Sequence, residues 1–155
     1  MAPLDIRLAR PADSPALMAL SERMANFDVP PWRSAAEITE ADGRSMVNAV
    51  SVAHPDSEVF IAERNGVIAG CLHLLVTRDF FGRSHAHISV IATSAEAEGT
   101  GVGRDLMAFA DGWARQRHLP LITLNVFAGN TRARRLYEKA GFEVELLKYA
   151  KQISE

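Results

Sequence analysis

The chain has one cysteine, no excess of basic charge, no long apolar run, no internal repeat and no low-complexity linker. Each absence excludes something. A lone Cys71 rules out an intramolecular disulfide, and its setting in the apolar run "VIAGCLHLLV" predicts a small buried thiol rather than a nucleophile. Seventeen Lys and Arg against nineteen Asp and Glu give a net charge of −2, without the basic surplus that non-specific nucleic-acid binding needs. The start "MAPLDIRLARPAD" has no signal-peptide core, and no apolar run approaches the ~20 residues of a membrane span. The expectation is a cytoplasmic chain with no nucleic acid or membrane as partner. With 155 residues, 48% of them hydrophobic, the chain is read as one globular domain, residues 1–155, able to bury roughly 70% of its unfolded surface.

What is present is a sequence of well-marked elements. "LDIRLARPAD" alternates as a strand and then meets Pro11 and Asp13, a helix start. Leu17, Leu20 and Met24 form a helical stripe, "NFDVPPWRS" breaks it, and a second helix is predicted over Ser34 to Ala53. "EVFIAERNGVIAGCLHLLVTRD" reads as a hairpin about Asn65-Gly66, the pair that supplies positive φ for a type I′ turn. A second turn near "FFGRS" leads into the strand "HAHISVIAT". A helix from about Val102 carries Leu106, Phe109, Ala110, Trp113 and Ala114 at helical spacing. "LPLITLNVF" is a predicted strand, "TRARRLYEKA" a helix ended by Gly141, and "FEVELLKYA" a last strand. The fold class is therefore α/β of the α+β type, a mixed and mostly antiparallel sheet flanked by helices.

Two segments carry the chemistry. In "AEGTGVGRDLM", Gly99, Gly101 and Gly103 lie between a strand and a helix. Glycine permits positive φ and brings no Cβ to hold a ligand off the backbone. The unpaired N–H groups of the helix start, at the positive end of its dipole, favour a diphosphate, and Arg104 can add a charge-assisted contact. The spacing G-x-G-x-G is neither the dinucleotide fingerprint nor a P-loop, and hairpin-linked strands are not a Rossmann start. In the second segment, "NVFAGNTRARRLYEKAGF", Asn130 is placed as an N-cap, and Ala133, Leu136, Tyr137 and Ala140 form one apolar face.

Taken together, "GTGVG" opening a helix, then a strand, then "NxxAxxLYEKxGF" closely resembles the GNAT superfamily of acyl-coenzyme A-dependent N-acyltransferases. The likeness is strong from about Ile88 to Phe142 and extends to element order alone before that. It implies a GNAT-like fold, acetyl-CoA as co-substrate and no metal. Carried over by motif, the coenzyme A pyrophosphate falls on Gly99, Thr100, Gly101, Val102, Gly103 and Arg104, and the cofactor arm on Asn130. Tyr137 takes the place of the general acid, and the backbones of Ile91 and Thr93 would pair with the pantetheine as an added strand does. That family usually has Gln or Arg where this chain has Glu98. A carboxylate facing a diphosphate is unfavourable, so the side chain of Glu98 is expected to point to solvent. Homodimers are common in the resembled family, and nothing in the sequence specifies an interface.

Such a transfer needs a neutral amine, a stabilised carbonyl oxygen and a leaving thiolate. An alkylammonium of pKa ~10.4 is neutral at pH 7 about once in 2,500 molecules, a cost of roughly 4.6 kcal/mol. Glu58, Asp79, His85 and His87 are the candidate bases, and His87 is the choice among them, on a strand face read as shared by His85, His87, Ser89, Ile91 and Thr93; His73 is read as structural. Tyr137, with an ordinary pKa of ~10, is protonated and able to donate to a developing thiolate. Direct attack in a ternary complex is preferred to a covalent route through Cys71. Phe27, Trp32, Phe80 and Phe81 are candidates for an aromatic acceptor wall, and Asp28 and Glu37 for attracting a cation. The first choice of acceptor is a small-molecule amine. A protein lysine or N-terminal amine is the alternative within the chemistry. A non-catalytic acyl-CoA sensor and a nucleotide-binding domain are the alternatives outside it.

Overall fold

The computed structural model describes all 155 residues. The chain forms strand β1 (Asp5–Leu8), helices α1 (Ser14–Ser21) and α2 (Ala35–Ser51), strands β2 (Ser57–Arg64), β3 (Val67–Arg78) and β4 (Ser84–Thr93), helix α3 (Val102–Gln116), strand β5 (Ile122–Leu124) and helix α4 (Thr131–Lys139). The sheet runs β1-β2-β3-β4-β5 in sequence order; the first four strands pair antiparallel and β5 runs parallel to β4.

Local chemistry accounts for the boundaries. Ser34 caps α2 by accepting from the Glu37 amide at 3.1 Å. Asn65 and Gly66 take φ of 54° and 74°, the left-handed pair that a tight hairpin requires. α4 ends at Gly141, φ 94°, with the Phe142 amide donating to Tyr137 and the Gly141 amide to Glu138. This is the double carbonyl closure that a glycine just past a helix permits.

The two sheet faces pack different helices. Leu72, Leu74, Ala86 and Ile88 meet Val102, Leu106, Ala110 and Trp113 of α3 on one side. Ile61, Cys71, Val90 and Ala92 meet Leu17, Leu20 and Met46 of α1 and α2 on the other. Cys71 is fully buried there, and burial pushes its thiol up to about 12. It is inert, as the sequence implied.

A bulge in β4 alters the predicted side-chain faces. His73 pairs with Val90 and Leu74 with Ile88, which leaves Ser89 as an extra residue. Ile88 and Ile91 both pack toward α3, whereas Val90 and Ala92 face α1 and α2. His85 and His87 alternate with Ala86 and Ile88 and so lie on the α1–α2 face, not on the face of Ile91 and Thr93 expected from simple alternation.

The final strand does not form. Residues 142–155 adopt neither helix nor strand, and every residue after Phe142 is exposed. The predicted "LPLITLNVF" strand likewise contracts to Ile122–Leu124. A strand exists only with a ladder partner, and β5 is paired on one side only.

Candidate active site

The glycine turn has the form that the sequence predicted. Gly99 and Gly101 take φ of 76° and 87°, and Gly101 is the N-cap of α3 with no side chain capping the first amides. The N–H groups of Val102, Gly103 and Arg104 therefore have no partner within the helix. A Cβ on Gly101 would lie 2.9 Å from Nη2 of Arg104, whose side chain folds back over the turn. Gly101 is thus fixed by its left-handed conformation, since the exposed Arg104 side chain could swing clear of a Cβ. Arg64 adds a second cation, its Nη1 donating to Thr100 Oγ1 at 3.0 Å. Sequence reading missed Arg64, which comes from β2; only its reach across the fold reveals it.

β4 offers the open edge beside this turn. The Ser94 amide donates to the Ala69 carbonyl, so Thr93 and Gly70 form a non-hydrogen-bonded pair, as do Ile91 and Leu72 two residues earlier. The backbone groups of Ile91 and Thr93 therefore point away from β3. β5 pairs with β4 only from Ala86 to Ile88, which leaves those groups without a strand partner. The carbonyl of Thr93 is taken at 3.3 Å by Nε of Arg23, on the 3-10 turn that follows α1.

Glu98 does not point to solvent. Its carboxylate is gripped by the guanidinium groups of Arg23 and Arg132, which hold it below the usual carboxylate range, Arg132 first. The expected clash with a diphosphate is met by pairing the carboxylate with two cations. Those cations come from the α1 side and from α4, so the ion triad ties both to the turn.

α4 supplies the other two predicted residues. Asn130 accepts from the Ala133 amide at 3.3 Å, so its carbonyl oxygen caps the helix and its amide NH2 is left to donate outward. Leu136 lies against the turn, 3.4 Å from where a Cβ on Gly103 would stand. Tyr137 is half-buried, its ring edge-on to Phe142 at 6.0 Å, and the desolvation raises its phenol above the ordinary value. It is protonated at neutral pH.

The candidate bases separate clearly. Glu58 is paired with Arg117 at 2.6 Å, and that guanidinium stacks on the Trp113 ring. Asp79 accepts from the amides of Phe81 and Arg83 in the β3–β4 turn. Neither faces the cleft as a free base. His73 is buried with Ser57 at 3.0 Å from its Nε2, and burial lowers it to about 4, in line with a structural role. His85 is buried with an unpartnered Nδ1. His87 stands opposite Thr123 of β5, 2.8 Å from Nδ1 to Oγ1, and burial followed by the charge of His85 lowers its pKa. It is a neutral strut across the β4–β5 pair with one ring nitrogen committed.

The proposed aromatic wall divides as well. Phe80, 99% exposed, and Phe81 stand at the hairpin tip, and Trp32 is exposed in the α1–α2 connection. Phe27 instead packs on Phe127 at 5.4 Å, and the Asp28 carbonyl lies 2.9 Å from where a Cβ on Gly129 would stand. The α1–α2 connection is thereby docked on the β5–α4 loop. Beside it, an open groove of about 490 Å³ is lined by Glu22, Arg23, Asn26 and Thr39.

The sequence model of the Acetyltransferase (GNAT) family matches residues 20–142. The chain belongs to that family. An uncharacterised N-acetyltransferase of Bacillus subtilis, YhfO, is 28% identical over 141 residues, covering 90% of each chain. A mycothiol acetyltransferase of Thermomonospora curvata is 36% identical over 84 residues; the match covers 54% of this chain and only 27% of that protein's length. Among solved structures, an acetyl transferase described as putative from Pyrococcus furiosus superposes with a TM-score of 0.75 at 22% identity, covering 97% of this chain and all of the other. An aminoglycoside N-acetyltransferase in complex with CoA gives 0.70 at 18% identity, covering 99% and 97%. The structural likenesses speak to the fold. No helix in this GNAT chain is long and apolar enough to cross a membrane.

Proposed function

We propose that this GNAT chain transfers an acetyl group from acetyl-CoA to a primary amine of a small molecule, by direct attack within a ternary complex. The reading rests on one juxtaposition: uncapped amides at two left-handed glycines, ringed by Arg64, Arg104 and Arg132, beside an open stretch of β4 edge. These residues fit a diphosphate-bearing thioester. Gly99 to Arg104 would hold the phosphates, Ile91 and Thr93 the pantetheine amides, and the Asn130 side-chain amide the arm. When bound, acetyl-CoA supplies an activated carbonyl and a leaving thiolate.

The chain's own residues do the rest. A free amide on the open edge of β4 polarises the carbonyl oxygen. Tyr137, kept protonated by burial, donates to the departing sulfur, whose conjugate acid resembles a thiol of pKa ~8.5. His87 in its neutral form accepts the amine proton through its uncommitted nitrogen or a water; its lowered pKa keeps that form dominant at pH 7. The Glu22 carboxylate in the open groove beside the α1–α2 connection suits a cationic amine, which fits a small-molecule amine or a protein amine alike.

The test is Tyr137→Phe. It is expected to lower kcat about 100-fold while calorimetric acetyl-CoA affinity is kept. Unchanged thiol release would remove Tyr137 from the chemistry. Tight acetyl-CoA binding by the wild type, with no thiol release across a panel of amines and peptides, would replace the enzyme by a sensor.

A further inference from the structure

Arg23 touches the glycine turn, the β4 edge and the open groove at once. Its Nε donates to the Thr93 carbonyl at 3.3 Å, and its Nη2 meets the carboxylate of Glu98. Two anchors hold the plane of the guanidinium, and its third nitrogen, Nη1, makes no hydrogen bond. The groove of about 490 Å³ is lined by Arg23 together with Glu22, Asn26 and Thr39, and by Ala35 and Ala36 in the first turn of α2. The charges at Arg23 do not cancel. Glu98 also binds Arg132, so one carboxylate is shared by two guanidinium groups and the cluster keeps a positive charge. Glu22, the neighbour of Arg23 in the chain, brings the opposite sign to the same groove.

We propose that Arg23 selects the acceptor: a small amine that also carries an anionic group, carboxylate or phosphate, which pairs with the guanidinium while Glu22 draws the ammonium. This rests on the acetyl-transfer reading and narrows its substrate class. A groove with both signs on adjacent residues is matched by a ligand with both signs a short distance apart, as in an amino acid or a phosphorylated amine. A polycationic amine or a protein lysine brings no anion of its own and sets another positive charge against Arg23 and Arg132. The anchor on Thr93 also places the selecting group beside the open edge of β4, so an acceptor held there stands next to the segment assigned to the cofactor arm. The Thr93 carbonyl is spent on this contact, and its N–H remains for the arm.

The test uses matched pairs: the common amino acids against the amines that lack their carboxylate, and phosphoethanolamine against ethanolamine, which separates carboxylate from phosphate. Thiol release from acetyl-CoA is expected to favour the anionic member by at least about 10-fold in kcat/KM, the scale of a charge-assisted hydrogen bond. Arg23→Gln should bring the favoured pair together through KM rather than kcat, and Arg23→Lys should restore part of the preference. Should Arg23→Gln fail to fold, the wild-type pairs decide. Calorimetry of the same amines on the CoA-saturated protein needs no turnover. Preferential binding of the anionic member without thiol release would keep the role of Arg23 and remove the transfer. Turnover or binding with no preference in any pair would overturn the role. So would an Arg23→Gln variant that slows both members equally, as a clamp that serves Glu98 alone would do.

Discussion

The two ends of the sheet are built by different means. Between β1 and α3, strands of four to twelve residues lie between two apolar clusters, one on each face, and Leu17, Met46, Ile61, Leu72, Leu74 and Leu106 are fully shut off from water. From β5 onward, a three-residue strand and a short helix carry Asn130 and Tyr137 with no core of their own. They are held by Ile122, Leu124 and Phe142, which lie half-buried against the α3-side cluster, and by polar ties: the Glu98 triad, the His87–Thr123 strut, and the docking of Gly129 on Asp28. The rigid end presents the glycine turn and the β4 edge. The lightly held end presents the phenol and the cap. The proposed site lies across their junction, where a ligand would draw the two together.

The sharpest way to break this contrast is a pair of truncations. Leu106→Ala, in the core, should cost about 2–5 kcal/mol in denaturant unfolding, and Leu136→Ala less than about 1 kcal/mol. Equal costs would show that α4 belongs to the same cooperative core. Next in size, Gly101→Val forces a β-branched residue to φ 87° against Arg104 and should reduce acetyl-CoA affinity by about 100-fold or more in calorimetry. Retained affinity would separate the turn from the phosphates.

A smaller effect lies within the rigid end. Because the folded state holds His73 near 4 against 6.5, the unfolded chain binds the extra proton between those values. Stability from this residue is full above pH 6.5 and is lost as the pH falls toward 4. The Tm should decline by several degrees over that range, and His73→Gln should flatten the decline. An unchanged slope in the variant would mean that His73 is not the group responsible. The smallest effect is at the junction itself. Glu98→Gln frees Arg23 and Arg132 for the diphosphate and should tighten acetyl-CoA binding up to about fivefold, the scale of a partly exposed ion pair. Weaker binding would make the triad a positioning device for α4.

The same division governs what the sequence revealed. Turns and caps are written locally, so Asn65-Gly66, Ser34, Asn130 and Gly141 could be read from a few neighbours. The glycine turn was legible as a conformation because glycine before a helix permits positive φ, whereas the role proposed for Tyr137 came from the family resemblance. The bulge at Ser89 was not, since the apolar run Val90-Ile91-Ala92 in "HAHISVIAT" fits either face and only the partner strand shows that one residue is left over. Glu98 and Arg64 took unforeseen partners because those lie far away in sequence. The last strand was read correctly as a pattern and wrongly as a structure: apolar alternation announces a strand, and only a neighbour's edge makes one.

The most direct measurement is a crystal structure of the protein with acetyl-CoA. The account predicts the diphosphate against the amides of Gly99 to Arg104, the pantetheine along the β4 edge at Ile91 and Thr93, and the sulfur within hydrogen-bond reach of the Tyr137 hydroxyl. A diphosphate bound elsewhere, or a phenol turned away from the sulfur, would contradict it.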